Sequence, residues 1–201
     1  MSRRPDPGRK PELVAQILDY LLDKPLSGLT FRTLATGLGV STFTLVYHFG
    51  SRAELLSDIV GAISEGEHDV EPELREDYGT VDGYFTRLER SWEWSVQPRN
   101  QKLQRLHFEA SMMEVLDPGH TFARELHTDW LAISADALRS LGLSEADADL
   151  ESRLLIDTVF GLQYDLLVNQ DVERATAAFR HMMAAVRTRV EALLAQPGSS
   201  T

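Results

Sequence analysis

Residues 30–52 read TFRTLATGLGVSTFTLVYHFGSR and carry the strongest structural signal in the chain. Thr30 and Ser41 each precede a short segment with apolar residues at helical spacing, and their hydroxyls can cap the first turn of a helix. Gly39 lies between the segments, where a left-handed backbone costs glycine nothing. The stretch therefore predicts two short helices joined by a tight turn, which is a helix-turn-helix.

Flanking residues predict one helix before this pair and one after it. Pro11 is tolerated in a first helical turn, and the residues after it form an apolar stripe. Gly50 ends the second helix of the pair, and Ser51 with Glu54 forms a capping box for the next helix. Three helices in this order can hold one helix in the DNA major groove. Short helix pairs with a glycine turn also occur in helical proteins that do not bind DNA.

The second helix of the pair has an inner and an outer face. Leu45 and Phe49 are expected to face inward. The residues expected on the outer face are Thr42, Phe43, Thr44, Tyr47 and His48. For Phe43 two interpretations stand side by side: contact with a thymine methyl group in the major groove, or partly buried packing.

Residues 11–66 resemble the N-terminal DNA-binding domain of the TetR family of bacterial transcriptional regulators. The matching residues are Gly28-Leu29-Thr30, Arg32, Leu34-Ala35, Leu38-Gly39-Val40-Ser41, Thr44-Leu45, His48-Phe49, Arg52 and Glu54-Leu55-Leu56. The DNA contacts that the resemblance implies are Thr30, Arg32, Thr33, Ser41, Thr42, Phe43, Thr44, Tyr47, His48, Ser51 and Arg52. Two departures are Phe43, where the family usually has a small residue or proline, and Val46, where it often has tyrosine.

Composition limits the class of protein. The chain has 201 residues and no cysteine, and its formal net charge is −11. Residues 1–52 contain seven basic and four acidic residues, so a basic DNA-binding part precedes an acidic remainder. Without an apolar run long enough to cross a membrane or a secretory signal, we expect a soluble, cytoplasmic protein with no membrane partner.

The pattern predicts an all-α fold of about nine helices and four regions. Residues 1–10 form a flexible basic arm, 11–52 the helix-turn-helix domain, 53–195 an effector-binding and dimerisation domain, and 196–201 a disordered tail; a helix from residue 51 links the domains. The later helices are expected near 80–97, 99–116, 119–141, 145–169 and 172–195.

The last two helices carry wide apolar faces. By the resemblance they would pair with the same helices of a second subunit, which would place two DNA-reading helices about 34–36 Å apart on a palindromic operator. The expected interface residues are Leu155, Thr158, Val159, Leu162, Leu166, Phe179, Met182, Met183, Val186 and Val190. The alternative is that these residues close the core of a single chain.

The middle helices are rich in aromatic residues, and the resemblance suggests a cavity for a small-molecule effector between them. The candidate lining residues are Trp92, Gln104, His107, Phe108, Met112, Trp130, Phe160, Gln163 and Tyr164. No metal-ligand spacing, phosphate-binding glycine loop or nucleophile elbow is present, so we expect no catalytic residue, metal or cofactor.

The sequence thus favours a homodimeric transcriptional regulator, a repressor that binds a palindromic operator in double-stranded DNA and is released by a small-molecule effector. The alternative is an all-helical small-molecule-binding protein or enzyme in which the helix-turn-helix is only structural.

Overall fold

The computed structural model describes residues 8–68, 79–116 and 122–195. These residues form nine α-helices and one 3₁₀ turn, Leu26–Gly28, and no strand. The helices are α1 Arg9–Leu21, α2 Phe31–Leu38, α3 Thr42–Phe49, α4 Arg52–His68, α5 Val81–Ser95, α6 Pro98–Leu116, α7 Phe122–Leu141, α8 Glu145–Asn169 and α9 Val172–Leu194. The predicted all-α fold is confirmed.

The described residues divide into two compact units. Unit 1 contains residues 8–66, 102–116 and 122–124, and unit 2 contains 67–68, 79–101 and 125–195. The predicted basic arm lies outside the described residues except for its last three positions, and the predicted tail lies outside them entirely. The functional division at residue 52 remains a prediction.

Local capping chemistry shapes the first half of unit 1. The Thr30 hydroxyl accepts a hydrogen bond from the backbone N–H of Thr33, and the Ser41 hydroxyl accepts one from Thr44. Gly39 ends α2 in the left-handed region at φ 67°. Leu45 and Phe49 are buried, as predicted. Because caps and turn fix both ends of α2 and the start of α3, the direction of α3 is set by local sequence.

Gly37 has a role that the sequence did not reveal. A Cβ atom added there would lie 2.1 Å from the ring of Tyr20, which packs from α1 across this position. The Tyr20 hydroxyl also approaches the backbone carbonyl of Thr33 at 3.4 Å. The glycine therefore gives α1 and α2 room for close contact.

Helix α6 is attached to the end of α1 within unit 1. The guanidinium of Arg105 donates to the backbone carbonyls of Leu21, Leu22 and Lys24 at 2.9–3.3 Å. Arg105 also forms an ion pair with Glu109, one turn further along α6. These bonds satisfy carbonyl groups that the end of α1 leaves without helical partners.

Unit 2 has its own hydrophobic core, built largely by α5, α8 and α9. Trp92 stacks on Phe179 with a centroid distance of 4.6 Å, and its Nε1 donates to the hydroxyl of Thr176 at 3.0 Å. Glu151 is buried and accepts three hydrogen bonds from Arg189, which joins α8 to α9. Because this hydrogen-bonded pair stabilises the charged form, the pKa of Arg189 lies above its ordinary value.

Most of the residues expected at a dimer interface are inside this core. Those that are buried are Leu155, Leu166, Phe179, Met183, Val186 and Val190, while Val159, Leu162 and Met182 are partly buried against them. Thr158 alone among the ten is exposed. Within one chain the buried members of this set therefore belong to the core of the monomer, and the residues of a dimer interface remain a prediction.

Candidate nucleic-acid interface

The outer face of α3 is open to solvent in unit 1. Phe43 is 77% exposed and Tyr47 is 58% exposed, and Thr42 is exposed beside them. Partly buried packing, the second interpretation of Phe43, does not fit this exposure. A helix that shows two large aromatic rings to water carries apolar surface that no other described element of the chain covers.

The rings on this face contact one another. Phe43 and Tyr47 are one helical turn apart, and their rings stack with centroids 6.4 Å apart and planes inclined by 23°. The ring of His48 meets Tyr47 edge to face at 5.1 Å. Mutual contact restricts the side-chain rotamers, so the face is partly organised before any partner binds.

Hydroxyl groups predicted to contact DNA also hold the local backbone. Thr30 and Thr33 form a reciprocal capping box, and the hydroxyls of Ser41 and Thr44 are 2.8 Å apart. The Ser51 hydroxyl accepts from the backbone N–H of Glu54 at 3.2 Å. Each of these hydroxyls thus has a bonding role in the chain itself, independent of any contact with DNA.

The two predicted arginines have different surroundings. Arg32 is exposed on α2. Arg52 donates from Nε to the Leu29 carbonyl at 3.0 Å and from Nη2 to the Leu26 carbonyl at 3.3 Å. The guanidinium of Arg52 therefore joins the start of α4 to the 3₁₀ turn, and the sequence pattern gave no sign of this role.

The N-terminus of α4 already holds an anion of the chain itself. The Glu54 carboxylate accepts a hydrogen bond from the Ser51 backbone N–H at 2.7 Å. This backbone hydrogen bond and a second one from the Ser51 side chain to the same carboxylate lower the pKa of Glu54 below its ordinary value. The carboxylate and the N-terminus of α4 thus partly neutralise each other beside the predicted DNA contacts Ser51 and Arg52.

The candidate effector-site residues are divided between the two units. In unit 1, Gln104 and His107 are buried, Phe108 is partly buried against His107, and Met112 is exposed. In unit 2, Trp92 belongs to the core described above, and Gln163 is also buried. The others in unit 2 are Trp130 and Phe160, which are partly buried, and Tyr164, which is 59% exposed.

One small cluster in unit 2 brings a predicted residue together with polar groups. The ring of Phe160 on α8 lies edge to face against His127 of α7, with centroids 5.3 Å apart. The Nε2 atom of His127 is 3.3 Å from a carboxylate oxygen of Asp157. This arrangement combines an apolar ring with an acid and a base, although sequence reasoning selected only Phe160.

The fold resembles those of several solved proteins, among them transcriptional regulators. The multidrug binding protein EbrR, solved with imidazole, shares 21% identity and a TM-score of 0.65 over 100% of this chain and 96% of its own. A transcriptional regulator from Rhodococcus sp. Rha1 shares 18% identity and a TM-score of 0.65, covering 92% of this chain and 95% of its own. The chain has a TetR-like fold.

This TetR-like fold is shown by structure alone. Comparison of the sequence with family models gave no match, and comparison with curated proteins also gave none. A third solved structure, from Pseudomonas aeruginosa PAO1 and assigned as a transcriptional regulator, has 18% identity and a TM-score of 0.60 over 93% of this chain and 96% of its own. Among the described helices, none is both long and apolar enough to cross a membrane.

Proposed function

We propose that the protein is a cytoplasmic, DNA-binding transcriptional regulator that acts as a homodimer and responds to a small molecule. The observation that carries the proposal is the exposed, pre-organised outer face of α3, held by the caps of a helix-turn-helix within a TetR-like fold. In a helix-turn-helix the second helix enters the major groove, and its N-terminal residues meet base edges.

The purely structural role of the helix-turn-helix is the competing proposal. If the helix served only the fold, its outer face would be expected to carry polar residues. Exposed aromatic rings leave apolar surface in contact with water and so contribute no free energy of burial. Phe43 and Tyr47 are instead both exposed, and Arg32 is exposed on the preceding helix. Ring, hydroxyl and guanidinium groups together match the requirements of a base-reading surface.

The exposed faces of α8 and α9 support the homodimer. On α8 the exposed stripe contains Leu150, Leu154, Thr158, Gly161 and Val168. On α9 small exposed residues recur at helical spacing, namely Ala177, Ala184, Ala185 and Ala192. Small side chains permit close helix approach, so these two faces can pack against their copies around a two-fold axis.

Repression and release by an effector complete the proposal. EbrR, which has the same fold, is named as a multidrug binding protein, and this supports a small-molecule effector for the present chain. An effector acts by binding more tightly to one conformation than to another, so it shifts the fraction of protein that can bind DNA. No catalytic or cofactor chemistry is part of this proposal.

Retention on duplex DNA tests whether the protein binds DNA, which every other part of the proposed function requires. Purified protein is passed over immobilised random-sequence duplex at low salt and eluted with a salt gradient, with single-stranded DNA of the same length as control. A DNA-binding regulator is retained on the duplex and released as salt rises. Passage of the folded protein without retention on either matrix would favour the structural role of the helix-turn-helix.

A further inference from the structure

The chemistry of α3 is unusual for a helix that reads bases. The helix Thr42–Phe49 has the sequence TFTLVYHF and contains no arginine, lysine, asparagine or glutamine. Those four side chains make the bidentate hydrogen bonds that select guanine or adenine in the major groove. Helix α3 therefore has none of these four side chains with which to select guanine or adenine through a bidentate contact.

What α3 presents in their place is aromatic surface. Phe43 is the second residue of the helix, in the turn that meets base edges, and it has 77% of its surface exposed. Its ring is stacked on Tyr47, so it projects from the helix as part of a paired aromatic surface. Among base edges in the major groove, only thymine offers an apolar group, its C5-methyl.

The Thr44 hydroxyl in the same turn already has a partner within the chain. The Thr44 hydroxyl is 2.8 Å from that of Ser41, whose oxygen also accepts from the Thr44 backbone N–H. A base contact by the Thr44 hydroxyl would compete with its hydrogen bond to the Ser41 hydroxyl. The apolar ring pair can be buried on DNA without loss of an internal hydrogen bond.

We infer that α3 reads its half-site through thymine methyl groups, with Phe43 as the specificity-determining residue and Tyr47 as the residue that positions its ring. The inference rests on the proposed function, since it requires that the protein binds duplex DNA. The preferred binding sites are therefore half-sites that contain thymine. Because the ring contacts the methyl group and not the Watson–Crick edge, any other pyrimidine with a methyl group at C5 should be bound in the same way.

The test removes the methyl group and nothing else. Duplexes selected by the full-length protein are resynthesised with deoxyuridine in place of each thymine in turn, and dissociation constants are measured by fluorescence anisotropy. For the wild-type protein we expect a loss of about fourfold for each methyl that Phe43 contacts, the value of one buried methyl-sized group. For Phe43→Ala the thymine and uracil duplexes should bind with equal affinity.

Controls separate the ring contact from general damage. Phe43→Leu retains apolar contact and should keep part of the preference for thymine over uracil. Val172→Ala, which removes a 39% exposed apolar side chain from α9, should keep the full preference. Since Phe43 is largely exposed, circular dichroism spectra and melting curves of its variants should match those of the wild type.

Three results would overturn the inference, and only the last of them would also overturn the proposed function. Sequence-specific binding that no uracil substitution weakens would overturn the methyl-reading inference and leave the proposed function intact. A uracil effect that persists undiminished in Phe43→Ala would assign methyl contact to another side chain and overturn the role of Phe43. Absence of binding to every duplex would overturn the proposed function together with the inference.

Discussion

Glu109 of α6 accepts a 2.6 Å hydrogen bond from the backbone N–H of Leu26, although the two residues are 83 positions apart. The carbonyl of Leu26 in turn accepts from Arg52 at the start of α4. The 3₁₀ turn Leu26–Gly28 is therefore bonded to α6 on one side and to α4 on the other.

Glu109→Ala should destabilise unit 1. The substitution leaves the Leu26 N–H without its carboxylate partner and Arg105 without its ion-pair partner, so we expect a loss of about 1–3 kcal/mol in the free energy of unfolding. Urea denaturation followed by circular dichroism measures it. Glu12→Ala, which removes a more exposed carboxylate paired with Arg9, should change stability by less than about 1 kcal/mol. Equal effects of both substitutions would show that the Glu109 bond adds little.

Arg32→Ala should weaken operator binding and leave the fold intact. Arg32 is exposed, so its removal creates no cavity, while loss of a base or phosphate contact should reduce affinity between about fivefold and a hundredfold. Gel-shift titration at two salt concentrations measures the effect, and a smaller salt dependence identifies a phosphate contact. Arg174→Ala, an exposed arginine on α9, is the matched control for loss of one positive charge. Unchanged affinity of Arg32→Ala would remove Arg32 from the interface.

Thr158→Arg should convert the proposed dimer to monomer. Thr158 lies on the exposed face of α8, where its hydroxyl bonds to the carbonyl of Leu154, so a large cation there would oppose its copy across a two-fold axis. Analytical ultracentrifugation gives the mass. Ser140→Arg is a close control, since Ser140 is also exposed and bonds to the carbonyl four residues before it. If Thr158→Arg and the wild type have the same mass, the proposed interface is wrong.

The wild-type protein should gain stability from Glu54 above about pH 5 and lose it in acid. Because the folded-state pKa of this carboxyl is lowered by the Ser51 hydrogen bonds, its charged form favours the folded state, and the gain disappears as protons bind. Glu54→Gln keeps the shape but not the charge. The difference in melting temperature between the two proteins should therefore be largest near pH 7 and shrink toward pH 3. A pH-independent difference would contradict this origin of the stabilisation.

Local signals made the helix-turn-helix predictable. The caps at Thr30 and Ser41, the left-handed Gly39 and the Ser51–Glu54 capping box each involve residues within a few positions of one another. The same is true of the inward-facing Leu45 and Phe49. Hydroxyls and glycines act on the adjacent backbone, so their consequences can be read without knowledge of the tertiary structure.

Contacts between distant residues could not be predicted in this way. The bonds of Arg105 to the end of α1 span more than 80 positions, and the charge pattern of α6 does not reveal them. Helix α8 shows a different difficulty. Leu154 is 47% exposed while Leu155 is fully buried, and a helix with apolar residues on both faces gives no periodic signal to tell core from interface.

Selection of bound sequences from a random duplex pool tests the central claim most directly. Duplexes with a randomised stretch of about 30 base pairs, some three helical turns, are bound to the full-length protein, recovered and sequenced. A homodimer that reads DNA through α3 should enrich a palindrome whose thymine-containing half-sites are about one helical turn apart. Recovery of random sequences by folded protein, both as purified and after extraction of any bound small molecule, would contradict it.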